Sequence, residues 1–262
     1  MTGYGWENCP GQTRQLVNDI LRHYQKILSS NLVGFYLHGS LTMNCFNPLL
    51  SDVDFLAIVA RKLTVKQKKA IIRYLLEHRD NSPVKDIEMS IVLEEYLKNF
   101  IYPTPYELHY SIDWYDRYKN GQVDYSAQHC DEDLAAHFVI ARNSGVSLFG
   151  KPAREMFPEI PKTTYVKSLV ADAKWIFMHS EEHPLYTILN LCRILVYLKN
   201  NETTSKREGG EWALSNLPRE FSPLISSALS CYTNTNVEEQ PDTTGLSRFV
   251  EHVKSEIDLL TG

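Results

Sequence analysis

Two aspartates set two residues apart, Asp52 and Asp54, open the apolar run SDVDFLAIVA. No other feature constrains the fold of this chain more. A short apolar run bounded by turn residues reads as a buried strand. Side chains alternate across a strand, so both carboxylates point to one face. Held side by side they repel each other, and divalent cations between them turn that repulsion into binding. The preceding segment NLVGFYLHGS predicts a strand over about 32–38, stopped by Gly39. Gly39 opens a turn, and Ser40 there offers a hydroxyl and a backbone N–H to a phosphate. A third run, IEMSIVL, sets Glu88 between Ile87 and Met89. Glu88 faces away from both neighbours and can join the aspartate pair.

The elements around these strands define an α/β region followed by helices. Residues 11–29 repeat Leu16, Ile20, Tyr24 and Leu28 at helical spacing. TVKQKKAIIRYLLEHR predicts an amphipathic helix between the second and third strands. Strand, turn, strand, helix, strand is the order of an α/β domain. Pro103 and Pro105 mark a loop or an edge, and LAAHFVIARN reads as a helix followed by a short extended piece. The prolines of PEIPKTT mark a boundary, giving domains 1–157 and 158–262. Beyond it the pattern is helical: about 164–179, 185–199, 206–216, 219–234 and 242–260. The expected fold is a mixed α/β domain plus an all-α bundle, with NNETTSKREGG and NTNVEEQPDTTG as polar loops.

Bulk properties narrow the function classes. A net charge of -5 lacks the basic excess of a nucleic-acid binder. Five cysteines, an odd number with no CxxC pair, argue against a disulfide framework or zinc ribbon. Reduced thiols suit a cytoplasmic protein. MTGYGWENCPGQ has neither the basic nor the apolar region of a signal peptide, and no apolar run approaches the ~20 residues of a membrane span.

Gly39-Ser40, a spacer, Ser51-Asp52-Val53-Asp54 and an acid on the next strand resemble the nucleotidyltransferase signature of the DNA polymerase beta superfamily. The chemistry needs such a set. Two Mg²⁺ ions clamp a triphosphate for in-line displacement at the α-phosphate, and a carboxylate takes the proton of the incoming hydroxyl. YELHYSIDWYDR, VSLFGKPAREMF and LNLCRILVYLKNNETTSKREGGEWALSNLP are similar to the streptomycin/spectinomycin-type aminoglycoside adenylyltransferases, from about residue 30 to 235. That resemblance implies an ATP- and Mg²⁺-dependent transfer of AMP to a hydroxyl of an aminoglycoside or aminocyclitol. It implies that Asp52 and Asp54 bind the metal, that Glu88 is the base, and that Gly39 and Ser40 meet the nucleotide phosphates. Lys206 would reach those phosphates from a helix N-terminus, and Arg193 and Tyr232 would contact the nucleotide. An amine-rich acceptor calls for acids, for which Glu107, Asp113, Glu181 and Glu182 are candidates. The streptomycin-accepting members have a stacking tryptophan in the triplet GEW. Here the stretch is SIDW, with Trp114 one place out of register, and the acid that partners the tryptophan is replaced around His179. Spectinomycin, streptomycin and a non-drug acceptor all stay open.

Two other motifs are decoys. GVSLFGKP departs from a P-loop because Pro152 replaces the Mg²⁺-binding Ser or Thr and removes an N–H. His179-Ser180-Glu181-Glu182-His183 spells an inverted zinc-protease motif, but Pro184 ends the helix it would need. The basic stretch from Arg61 to Lys69 lies on one amphipathic helix and reads as a solvated face. The other readings are a nucleotidyltransferase acting on another small molecule or a protein, and a nucleotide-binding regulator without turnover.

Overall fold

The computed structural model describes residues 3–79, 82–235 and 239–262. The first two residues of MTGYGWENCPGQ and the middle of NTNVEEQPDTTG lie outside the described residues. The chain divides into two compact units, Tyr4–Ile160 and Pro161–Gly262.

The first unit is built on a five-stranded mixed sheet. Its strands are β1 (Leu32–His38), β2 (Val53–Val59), β3 (Ile87–Leu93), β5 (Leu108–Tyr110) and β7 (Val146–Phe149). They lie in the order β5-β3-β2-β1-β7. β2 and β3 run parallel, and the other pairs are antiparallel. A parallel neighbour needs a crossover, which α2 (Val65–Arg79) supplies between β2 and β3. β4 (Thr104–Tyr106) and β6 (His129–Asp131) form a separate two-stranded ribbon. Further helices are α1 (Gly11–Leu28), α3 (Glu94–Lys98), α4 (Ile112–Lys119), α5 (Leu134–Ser144) and α6 (Ala153–Met156).

Strand alternation sorts the side chains of the sheet. Phe35 and Leu37, then Val53, Phe55, Ala57 and Val59, then Ile87, Met89, Ile91 and Leu93 join one core with Val17, Ile20, Tyr24 and Leu28 of α1 and Ile71, Ile72 and Leu75 of α2. The intervening residues, His38, Asp54 and Glu88 among them, point to the opposite face. The three central strands therefore read as continuous apolar runs, because both sheet faces are covered. The buried stripe of α1 is Thr13, Val17, Ile20, Tyr24 and Leu28. Leu16, expected in that stripe, is only partly buried.

The second unit is helical: α7 (Lys162–Met178), α8 (Pro184–Asn200), α9 (Lys206–Asn216), α10 (Ser222–Thr233) and α11 (Leu246–Thr261). α8 is the central helix, with Ile188, Leu189, Leu191, Cys192, Ile194 and Leu195 at 0% exposure. Pro184 and Pro223 sit in the first turns of α8 and α10, where the missing N–H costs nothing. The expected helix 219–234 therefore begins as a 3-10 turn at Arg219–Phe221. The last helix starts later than expected, at Leu246, after Gly245 with φ 88. All five cysteines are free thiols. Among the described residues, no helix is long and apolar enough to cross a membrane.

Candidate active site

Register brings the sequence-distant acids together. His38 pairs with Asp54 across the antiparallel β1–β2 ladder, and Asp54 pairs with Glu88 across the parallel β2–β3 ladder. One row, His38-Asp54-Glu88, thus crosses three strands on the face turned away from α1 and α2. Asp52 stands just before β2 on the same face, with Lys85 Nζ 3.6 Å from its Oδ1. Gly39 has φ +68, and a Cβ there would fall 2.0 Å from Asp54 Oδ2. Only glycine allows both that backbone and that close approach of the carboxylate. Ser40, in the 3-10 turn Gly39–Leu41, has a buried Oγ without a hydrogen-bond partner. An unsatisfied hydroxyl at the edge of an acid row suits a ligand oxygen.

The row is electrostatically strained. The Glu88 side chain is 31% exposed. Its carboxyl is pushed up to about 8, first by burial and then by the Asp54, Asp133 and Asp52 carboxylates, while His137 pulls the other way. His137 lies on α5, with Nε2 2.9 Å from Asp133 Oδ2 and 3.7 Å from Glu88 Oε1. Burial works against its charge, but Asp133, Glu88 and Asp131 override it and raise the imidazole to about 10. His38 is driven the other way, well below the ordinary histidine value, by burial and then by His137. Neither His137 nor Asp133 was singled out from the sequence. Their i,i+4 spacing on an apolar helix is the signal that was there to read.

These groups suit a hard cation: oxygen ligands, mutual repulsion and a glycine cradle. Among the described residues, no three His, Cys, Asp or Glu groups converge to hold a metal unaided. Mg²⁺ ordinarily takes one or two carboxylates and completes its shell with substrate phosphates. Asp52 and Asp54 fit that requirement.

The expected acceptor residues fare unevenly. Glu107, expected as an acceptor ligand, is placed inside the first unit. It is buried, 3.6 Å from Lys68 Nζ, and accepts the Leu63 N–H. Its Oε2 is engaged by Lys68 of α2 and by the backbone just before that helix, which argues against the acceptor role. Asp113 is exposed in the first turn of α4. Trp114 joins an aromatic wall with His109 and His129, both at 6.1 Å, and the Arg117 guanidinium covers its ring at 4.3 Å. His109 Nδ1 lies 2.9 Å from the hydroxyl of Ser90, which shares the face of Glu88, so the wall continues from the acid row. Burial, aided by His137, lowers the His109 imidazole to about 4.

The helical unit holds the other expected residues. Lys206 begins α9, with Nζ 4.7 Å from the Tyr186 ring centroid. A Ser205–Glu208 capping box already engages the Ser205 and Glu208 N–H groups. An anion at this helix start would therefore meet the Lys206 ammonium more than those amides. Arg193 is half-buried on α8 where α9 packs closest: a Cβ on Gly209 would fall 2.8 Å from its backbone nitrogen. Tyr232 is buried in α10. His179 caps the end of α7 and stacks on Trp175 at 4.4 Å, while His183 precedes α8. The two histidines share no helix, so the zinc-protease geometry is not formed. Glu181 and Glu182 are exposed between those helices.

A mixed sheet with an acid row led by a Gly-Ser turn, followed in sequence by a helical bundle, is the arrangement expected from the sequence. Residues 155–256 match the family model for "Aminoglycoside adenylyltransferase, C-terminal domain", so the family resemblance read from the sequence holds for that segment. The chain is 23% identical to the spectinomycin 9-adenylyltransferase of Enterococcus faecalis, covering 86% of this chain and 89% of that one. It is 25% identical to the Campylobacter jejuni spectinomycin 9-adenylyltransferase over 94% and 96% of the two chains. It is 26% identical to an aminoglycoside (3'') (9) adenylyltransferase of Klebsiella pneumoniae over 96% and 95%. The crystal structure of an enterococcal spectinomycin adenyltransferase, solved with ATP and spectinomycin, has the same fold: TM-score 0.83 at 21% identity, covering 94% of this chain and 99% of that one.

Proposed function

We propose that this chain is an adenylyltransferase that moves AMP from Mg-ATP to a hydroxyl of a spectinomycin-type aminocyclitol, releasing pyrophosphate. The observation that carries the reading is the in-register pairing of Asp54 with Glu88, with Gly39 closing on Asp54. Asp52 and Asp54 would hold Mg²⁺ together with phosphate oxygens of ATP. The metal, when bound, offsets phosphate charge and orients the displacement. Glu88 accepts the proton of the acceptor hydroxyl, that oxygen bonds to the α-phosphorus, and the bond to pyrophosphate breaks. A base works best with a pKa near the operating pH, and the raised Glu88 carboxyl suits that task. Ser40 offers its hydroxyl to the phosphates, and Lys206 offsets charge on the leaving pyrophosphate. Arg193 and Tyr232 contribute to the nucleotide site.

The relatives named for spectinomycin, and what stands at the positions expected to hold streptomycin, support this acceptor class. Trp114 carries Arg117 on its face, and His179 rather than an acid occupies the other position. Asp113, Glu181 and Glu182 remain the acids offered to the acceptor amines. Such a reaction places the protein in the cytoplasm, where ATP and drug meet, with drug modification and hence resistance as its outcome.

The test is pyrophosphate release from Mg-ATP with spectinomycin, with streptomycin alongside. Release with spectinomycin is expected, and Glu88→Gln should abolish it while ATP still binds. Tight ATP binding without release on either drug would sink the acceptor assignment and favour another acceptor or a regulator.

A further inference from the structure

Glu88 shares its surroundings with other carboxylates, and repulsion alone would push it aside. Among the described residues, His137 is the basic side chain within ion-pairing distance of it. The same ring nitrogen faces Glu88 Oε1 at 3.7 Å and Asp133 Oδ2 at 2.9 Å. Asp133 precedes His137 by one helical turn, so α5 itself builds the anchor. The His137 side chain is 14% exposed, and its ring lies 4.8 Å from that of His38, at the end of the acid row. A charged group so enclosed is a poor stabiliser, since an apolar side chain there would avoid the desolvation cost. The arrangement is better accounted for by chemistry at Glu88.

We propose that His137, anchored by Asp133, is the positioning residue of the catalytic base and holds the Glu88 carboxylate in line for the acceptor hydroxyl. This rests on the reading of Glu88 as the base. The raised His137 imidazole supports it, because a cationic ring is what a carboxylate among carboxylates requires. His137 acts only through Glu88 and touches no reacting atom.

The experiment is steady-state pyrophosphate release by the full chain with Mg-ATP and spectinomycin, for His137→Gln, Asp133→Asn, Glu88→Gln and the double variant Glu88→Gln/His137→Gln. His137→Gln should lower kcat about 10–100-fold, the cost of a misplaced group, with both KM values held within about twofold. Asp133→Asn should lower kcat in the same way. In the Glu88→Gln background His137→Gln should cost nothing more, because the group it positions is gone. Should the Glu88→Gln rate sit at background, Glu88→Asp replaces it, and the loss from His137→Gln should then be smaller than in the wild type. An equal fold-loss in both backgrounds, an unchanged kcat, or a rise in KM alone would overturn the proposal. If His137→Gln does not fold, Asp133→Asn decides by the same split between kcat and KM. Wild-type kcat in Glu88→Gln by itself would remove the base assignment, and with it this proposal, whatever the His137 variants do.

Discussion

Glu88 owes its chemistry to its neighbours. Its carboxyl titrates near 4.5 when unperturbed and is held up to about 8, by burial first and by Asp54, Asp133 and Asp52. The folded chain therefore binds this proton more tightly than the unfolded chain. The associated stability is complete below the unfolded value and is lost as pH rises through the folded one. Glu88→Gln keeps the shape and removes the titration. In nucleotide-free protein, the Tm of Glu88→Gln relative to wild type should therefore climb between about pH 5 and pH 9. A gap that stays constant across that range would mean that Glu88 ionises as freely in the fold as outside it. At this scale the acids themselves were legible, since a DxD at a strand start and an acid between Ile87 and Met89 need only alternation to be placed. His137 was not, because nothing in LAAHFVIAR says which strand its helix covers.

The elements were easiest to read where burial is two-sided. β1 and β3 fall where the apolar runs placed them, and α2 spans nearly all of TVKQKKAIIRYLLEHR. Periodicity located α1 but misjudged its stripe, because which residues of a helix are buried depends on what packs against it: Thr13 and Val17 are buried, Leu16 only in part. Glu107 shows the same limit more sharply. Between β4 and β5 it looks like any surface acid, and only the packing of α2 and the turn before it gives it Lys68 and the Leu63 N–H. Removing it strands a buried ammonium, at a cost of about 3–5 kcal/mol. Glu107→Ala should accordingly lower the urea midpoint severely while leaving the acceptor KM of the folded fraction unchanged. Near wild-type stability with a raised KM would return Glu107 to the acceptor set.

Taken whole, the chain carries two cores, one around the mixed sheet and one around α8, and its relatives match it across nearly their full length. A ligand that binds only the folded state stabilises it by mass action, about 2.7 kcal/mol at a hundredfold excess over Kd. Mg-ATP should therefore raise Tm by roughly 5 °C or more for a chain of this size. Chelating the metal, or Asp54→Asn, should remove most of that rise; a shift indifferent to both would place ATP away from the acid row. The sequence by itself determined the α/β-then-helical order, the central strands and the acids at their ends, because those depend on local alternation, turn residues and apolar periodicity. Only the tertiary structure decided which side chains share an environment. The Asp54–Glu88 register, the approach of His137 to Glu88 and the Lys68–Glu107 pair all join residues distant in the chain. Their geometry follows from how strands align and helices pack, and no local pattern encodes it.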